Sequence, residues 1–334
     1  MILDGQSPDA IAQAADVLAG GGLIGLPTET VYGLAADASS DAAVARIFAA
    51  KGRPSDHPLI VHLAPGGAGA MPPGVAHFAA ALPDFAERLI QAFWPGPLTL
   101  ILPRRPGVAA AAAGGQDSVG LRCPSHPVAQ ALLTACAARG VMGLAAPSAN
   151  QFGRVSPTTA AHVQAEFGPS LPVLDGGPCA VGIESTIVDC TRGAPVLLRP
   201  GAITREQVAA VCGLPQHGAA LQGPAPRASG TLEAHYAPQA KVRLMDAGAL
   251  QTGLDLLGAE ARHLAVYARA PLQARSAAVL LRRMPDDAEA VAQQLFAVLR
   301  SFDEQGVHLI WIETPPAHAA WEGVHDRLQR AAAA

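Results

Sequence analysis

Along the first 200 positions, short apolar runs alternate with amphipathic stretches. Ser7-Pro8-Asp9 joins an N-cap to a proline at the first helical position, opening a helix that the Gly20-Gly21-Gly22 run ends. LIGLP (23–27) reads as an apolar strand, and SSDAAVARIFAAKG (39–52) as a capped helix stopped by Gly52 and Pro54. PLIVHL (58–63), LTLILP (98–103), SVGLRC (118–123) and VMGLAAP (141–147) predict strands; 83–93, 126–139 and 157–167 predict helices. Further strands are expected at 172–175, 185–190 and 195–199, the last running into Arg199-Pro200-Gly201. Strands interleaved with helices imply an α/β fold, and closely spaced later strands imply a mixed sheet.

A helix at 204–212 precedes CGLPQHGAALQGPAPRASG (212–230), which has no apolar period and is dense in Gly and Pro, as linkers are. The βα rhythm then resumes: KVRLMD (241–246), HLAVYA (263–268), AAVLLR (277–282), a helix at 286–305, HLIWIE (308–313) and a helix near 318–331. The pattern divides the chain into a domain at 1–204, a helix and linker at 205–239, and a smaller α/β domain at 240–334.

Length agrees: 334 residues allow about two domains. Half the residues are hydrophobic and only 15% are charged. Residues 1–200 carry 11 basic and 14 acidic groups and residues 201–334 carry 12 and 13, so neither half is a bulk basic platform for nucleic acid. Just two of the 23 cations are lysines, Lys51 and Lys241, so each retained lysine asks for a reason. No signal peptide or membrane span is visible. Five cysteines without a CxxC pair predict neither a disulfide framework nor a zinc site, which suits a reducing, cytoplasmic setting.

Familiar nucleotide and hydrolase motifs (GxxxxGKS or GxxxxGKT, GxGxxG, GxSxG, HExxH) are absent. Polar clusters instead follow the apolar strands, where α/β sheets open their ligand clefts. Thr28-Glu29-Thr30 sits between Pro27 and Gly33; this is either a turn or a cleft lining. Lys51-Gly52-Arg53 closes a helix, where cations often only complement the dipole. A point charge and a planar fork so close together also suit a phosphate chain. His57 and His62 flank PLIV at odd spacing, which on one strand puts them on opposite faces and argues against a shared metal. Ser118 and Arg122 share a strand face; Ser148-Ala149-Asn150, Ser156, Glu184-Ser185-Thr186 and Arg199 complete the set. Taken singly, each also reads as an ordinary turn, cap or surface pair.

In series, PTETVYGLAAD, KGRPSDHPLIVH, WPGPLTLIL, SVGLRCPSHP, APSAN, GIESTIVDC and LLRPG resemble the YrdC-like domain of threonylcarbamoyl-AMP synthases over residues 8–201. ASGTLEAHYAP (228–238) and DRLQRAA (326–332) resemble the long, two-domain form of that family. The resemblance implies a YrdC-like twisted mixed sheet with flanking helices, plus a smaller Rossmann-like C-terminal α/β domain. It implies a nucleotidyltransferase that condenses L-threonine, bicarbonate and ATP into threonylcarbamoyl-AMP and releases pyrophosphate. The product serves threonylcarbamoyladenosine formation in tRNA and passes to a tRNA threonylcarbamoyl transferase complex. By the same resemblance Thr30, His62, Arg122, Ala146 and Ser185 bind threonine. Lys51, Arg53, His57, Ser118, Ser148, Asn150, Ser156, Arg199 and Gly230 face the nucleotide, with Lys51 and Arg53 catalytic. Mg²⁺ would accompany ATP, with no dedicated protein metal site. His57 stands where the family often has Asn, and Thr231-Leu232-Glu233-Ala234 departs from its more basic linker. A carbamoyltransferase of the hydrogenase-maturation type, or an RNA-binding module, are the alternative readings. Direct tRNA contact stays open.

Overall fold

The architecture comes from a computed structural model, which describes residues 1–213, 221 and 223–334. Residues 214–220 and 222, within the expected linker, lie outside the described residues. The chain forms two compact units, Met1–Phe152 with Ser156–Thr231, and Gly153–Val155 with Leu232–Ala334.

In the first unit the elements are β1 (Ile2–Asp4), α1 (Pro8–Ala19), β2 (Ile24–Leu26), β3 (Gly33–Asp37), α2 (Asp41–Lys51), β4 (Ile60–His62), α3 (Pro73–Phe78) and α4 (Asp84–Phe93). There follow β5 (Leu98–Pro103), β6 (Ser118–Arg122), α5 (Pro127–Ala137), β7 (Leu144–Ala145), α6 (Ala160–Phe167), β8 (Val173–Asp175), β9 (Thr186–Asp189), β10 (Val196–Arg199) and α7 (Arg205–Cys212). The ten strands form one mixed sheet in the order β1-β8-β2-β3-β7-β4-β6-β5-β9-β10. Ser7 caps α1 through Ala10 N (3.3 Å), and Ser40 caps α2 through Ala43 N (3.2 Å). Gly52 ends α2 at φ +61°, a left-handed turn that glycine takes without strain and that redirects the chain at Arg53.

One sheet face is covered along its length. Val61, Leu121, Leu98, Leu100 and Val188 pack there against Ile47 of α2, Phe78 of α3, Leu89 of α4 and Val208 of α7. On the other face α1 and α5 cover only the β8-β2-β3-β7 half, burying Leu18 and Leu132 against Leu26, Leu144 and Leu174. From β4 onward that second face carries polar residues instead.

The second unit holds β11 (Lys241–Met245), α8 (Ala247–Leu257), β12 (Leu264–Ala268), β13 (Leu280–Arg283), α9 (Ala288–Glu304), β14 (Leu309–Glu313) and α10 (Glu322–Ala332). Its sheet is wholly parallel, in the order β11-β14-β12-β13. Tyr236 lies in this unit, its ring 5.5 Å from Phe296 and under the buried Arg327 guanidinium at 5.4 Å. Among the described residues no helix is long and apolar enough to cross a membrane, and all five cysteines are free.

Several elements differ from the sequence-based expectation. The expected strand at 141–147 shrinks to Leu144–Ala145, and the expected helix at 157–167 begins only at Ala160, after the Thr159 cap. Strands β1 and β3 and helix α3 were not expected, being short or small-residue segments with weak periodicity. His57 precedes β4, so the opposite-face argument for His57 and His62 does not apply.

Candidate active site

Alternation on β4, β6, β5 and β9 builds the site. Where one set of side chains enters the core, the other set presents His62, Ser118, Arg122, Thr99 and Ile187 on the face that α1 and α5 leave uncovered. Register sets His62 beside Arg122, Thr99 beside Ile187, and Arg199 of β10 opposite Ile187. The stripe therefore crosses five strands.

Arg122 organises one end. Its Nη1 donates to Thr30 Oγ1 (2.8 Å) and its Nε to Gly96 O (3.2 Å), while Nη2 lies 2.7 Å from Glu29 Oε1. Thr28 Oγ1 holds the turn, donating to Val31 O (2.6 Å) and meeting Thr30 Oγ1 at 2.9 Å. Glu29, Thr30, His62 and Arg122 are all buried. The Nη2–Glu29 contact is an ion pair without hydrogen-bond geometry. Arg122 Nη2, both Glu29 carboxylate oxygens and His62 Nδ1 have no hydrogen-bond partner among the described residues. Arg122 and Glu29 offset each other's burial as an ion pair, and the hydrogen-bonding capacity they leave over, with His62 between strands beside them, suits donors and acceptors from outside the chain. Burial pushes the Glu29 carboxyl upward, but the Arg122 charge together with N–H groups of Arg122 and of the backbone at Glu29 and Ser125 outweighs it and holds Glu29 below the usual carboxylate range. Burial and the same Arg122 push the His62 imidazole down to about 3.

Lys51 organises a second cluster, at the end of α2. Fully enclosed at the end of α2, its Nζ donates to Ser148 O (2.6 Å) and Asn150 O, which leaves one of three N–H donors. Burial and the nearby Arg53 hold its ammonium well below the ordinary lysine value, a cost that an arriving phosphate would offset. Arg53 Nη2 donates to Pro58 O (3.0 Å), and its guanidinium lies over Phe152 at 5.7 Å. His57 packs edge-on to the same ring at 5.4 Å. Ser156 Oγ donates to Glu184 Oε1. Arg199 grips Ser185 O through Nε (3.0 Å) and Nη2 (2.8 Å) and reaches Ser185 Oγ (3.2 Å), which itself meets Thr99 Oγ1 at 2.8 Å. Gly201 follows where a Cβ would come within 2.6 Å of Thr186 N, so only glycine lets β10 turn this close to β9.

Residues 227–229 lie across the Ser118 end. Arg199 Nη1 donates to Ser229 O (2.9 Å), and Ser229 Oγ donates to Pro58 O (2.6 Å). Arg227 pairs with Asp56 (2.9 Å) and donates to Gly114 O (3.0 Å). A cavity of about 10 Å³ remains between this strap and Ser118, Thr99 and Gly120, room for one water. Gly230 follows, buried.

The structure thus brings Thr30, His62 and Arg122 together at one end, with Ala146 beside them through its N–H to Ile60 O (3.0 Å). Lys51 joins Ser148 and Asn150, and Ser185 joins Arg199. Glu29 is a candidate cleft-lining residue in the sequence and Glu184 lies inside a motif without a role of its own, whereas Thr99 and Ser229 are not among the sequence-predicted site residues. Thr99 carried a readable signal, one polar residue in the apolar run LTLILP. Ser229 carried none, because its partners come from distant β10 and the loop before β4.

The family model described as "Telomere recombination" matches residues 16–201, and that described as "Threonylcarbamoyl-AMP synthase, C-terminal domain" matches residues 203–333. The threonylcarbamoyl-AMP synthase of Bacillus subtilis is 38% identical over 331 residues, covering 96% of this chain and 92% of the relative. That of Pyrococcus abyssi is 37% identical over 328 residues, covering 95% and 92%. The crystal structure of P. abyssi Sua5 complexed with L-threonine superposes with a TM-score of 0.87 at 34% identity, over 99% of this chain and 97% of that one. Escherichia coli YciO, at 22% identity and TM-score 0.50 over 60% of this chain and 93% of its own, shares the fold of the first unit. With both family models matched along the chain and relatives similar over nearly its whole length, the protein belongs to the threonylcarbamoyl-AMP synthase family.

Proposed function

We propose that the chain condenses L-threonine, bicarbonate and ATP into threonylcarbamoyl-AMP and releases pyrophosphate. The observation that carries this reading is the Arg122 fork, buried between Thr30 and Glu29 on the same polar stripe as Ser185 and Arg199. A planar guanidinium with an unused N–H suits a substrate carboxylate. Thr30, His62, Arg122, Ala146 and Ser185 hold the amino acid in this reading. Lys51, Arg53, His57, Ser118, Ser148, Asn150, Ser156, Arg199 and Gly230 face ATP.

Lys51 and Arg53 would neutralise the phosphates as the carbamate oxygen attacks the α-phosphorus in line and pyrophosphate leaves. No covalent enzyme nucleophile is required. Ser148, Ser156 and Glu184 offer the hard oxygen donors that suit Mg²⁺, which when bound with ATP would draw charge from the leaving pyrophosphate. The mixed anhydride product must pass to an acceptor, in this reading a tRNA threonylcarbamoyl transferase complex in the cytoplasm. Calorimetry tests the assignment: L-threonine should bind the wild-type chain and lose most of its affinity in Arg122→Lys. Equal affinity in the two would contradict it.

A further inference from the structure

Arg122 and Lys51 account for where two anionic groups would sit, but carbamate formation also needs a proton removed. Threonine enters with its nitrogen as an ammonium, which has no lone pair to attack carbon. Resting on the reading of the chain as a threonylcarbamoyl-AMP synthase, we propose that Glu29 is the catalytic residue that takes this proton from the threonine ammonium.

The geometry carries the proposal. Glu29 is buried in the TET turn against Arg122, and neither of its carboxylate oxygens accepts a hydrogen bond of good geometry among the described residues. It touches Arg122 Nη2 at 2.7 Å, and that same nitrogen lacks a hydrogen-bonded acceptor. An amino acid is the complement of this pair, since its carboxylate and ammonium are separated by a single carbon. A carboxylate docked on Arg122 therefore places its ammonium within reach of the carboxyl beside that arginine. His62 stands beside Arg122 in register on the same face of the sheet.

Glu29 gains basicity when the substrate arrives. Arg122 holds the empty-site carboxylate ionised. A second carboxylate on Arg122 cancels much of that hold, and burial then favours the protonated form. The titratable and charged groups facing Glu29 are Arg122 on β6, His62 on β4, Cys123 just past β6 and Cys179 in the loop after β8. Burial keeps both cysteines as thiols and His62 uncharged, so none of them competes for the proton near neutral pH.

The step balances. An N–H bond of the ammonium breaks and the proton goes to Glu29, giving a neutral amine and a carboxylic acid. The amine lone pair forms a C–N bond to bicarbonate, a bicarbonate C–O bond breaks, the second amine proton joins the departing hydroxide to leave as water, and the carbamate stays in the site. Glu29 returns its proton to solvent after the adenylate departs.

The test compares the wild-type chain with Glu29→Gln, which keeps the shape and removes the base. Pyrophosphate release with ATP, threonine and bicarbonate is followed against pH, with ATP affinity measured on the same preparations. We expect a 10²- to 10⁴-fold lower kcat in Glu29→Gln, unchanged ATP affinity, and a rate rising about tenfold per pH unit until the free amine titrates. The wild-type rate should stay nearly flat over that range. A loss confined to threonine KM, with the two pH profiles parallel, would overturn the proposal and leave Glu29 as a support for Arg122. Should Glu29→Gln fail to fold, ¹⁵N-threonine on the wild-type chain decides: its amine should titrate at least one pH unit below free threonine, and an unshifted midpoint overturns the proposal. A wild-type chain with no threonine-dependent release contradicts the family activity itself, an outcome separable from both.

Discussion

Three arms of the Arg122 guanidinium are set by Thr30, Gly96 and Glu29, so its plane is fixed before any ligand arrives. Arg122→Lys keeps a cation but loses the fork. We expect about 100-fold weaker threonine use, worth roughly 3 kcal/mol, with ATP binding within a few-fold of wild type. Lys51→Ala should do the reverse, and isothermal titration with each ligand separates the two. His62 supplies a pH signature. Its folded pKa, about 3, lies below the unfolded value near 6.5, so its neutral form adds stability in full above pH 6.5. That stability is lost as pH falls from 6.5 toward 3, by up to about 2 kcal/mol between pH 6.5 and 5. Urea midpoints at pH 7 and 5 should differ more for the wild type than for His62→Asn. An equal difference would mean that His62 is not buried neutral.

At the scale of elements, the end of α2 carries Lys51 and leads into Arg53, the two cations that the proposed reaction sets on the phosphates. Helix α2 delivers Lys51 from its last turn, and its start rests on the Ser40 cap 11 residues earlier in sequence. Ser40→Ala should therefore cost about 1 kcal/mol of stability in urea titration while the ATP KM stays unchanged. A matching KM change would show that α2 moves when its cap is lost. The strap at 227–229 invites a second substitution. Arg227 and Asp56 form an ion pair with both side chains more than half exposed, so Arg227→Ala should shift stability by no more than about 1 kcal/mol.

Much of this layer was legible in advance. LTLILP, SVGLRC and the capped helix at 39–52 appear as β5, β6 and α2, because period-two and helical patterns are strong there. The motif order marked the stripe, yet which polar residues meet was not readable, since His62, Arg122 and Thr99 adjoin only through register. The pairing of Glu29 with Arg122 was hidden for the same reason: 93 positions separate them, and a carboxylate between two threonines looks like any turn.

For the whole molecule, low charge proves to be unevenly placed. Only 15% of residues are charged, but Lys51, Arg53, Arg122 and Arg199 are all buried in the first unit, around one stripe of its sheet. Burying cations costs several kcal/mol each before compensation, so a fold retains four of them together where anions repay that cost. The carboxylate of L-threonine and the phosphates of ATP are such anions. The second unit holds its own buried cation, Arg327, paired with Asp326 (2.9 Å) and stacked on Tyr236, an internally satisfied arrangement that supports the unit. In the proposed reaction the stripe joins three substrates. The most direct measurement of that reaction is pyrophosphate release from the purified chain with ATP, L-threonine and bicarbonate, each omitted in turn. Release is expected only when all three are present. Release that continues at an equal rate without threonine would contradict the proposed reaction.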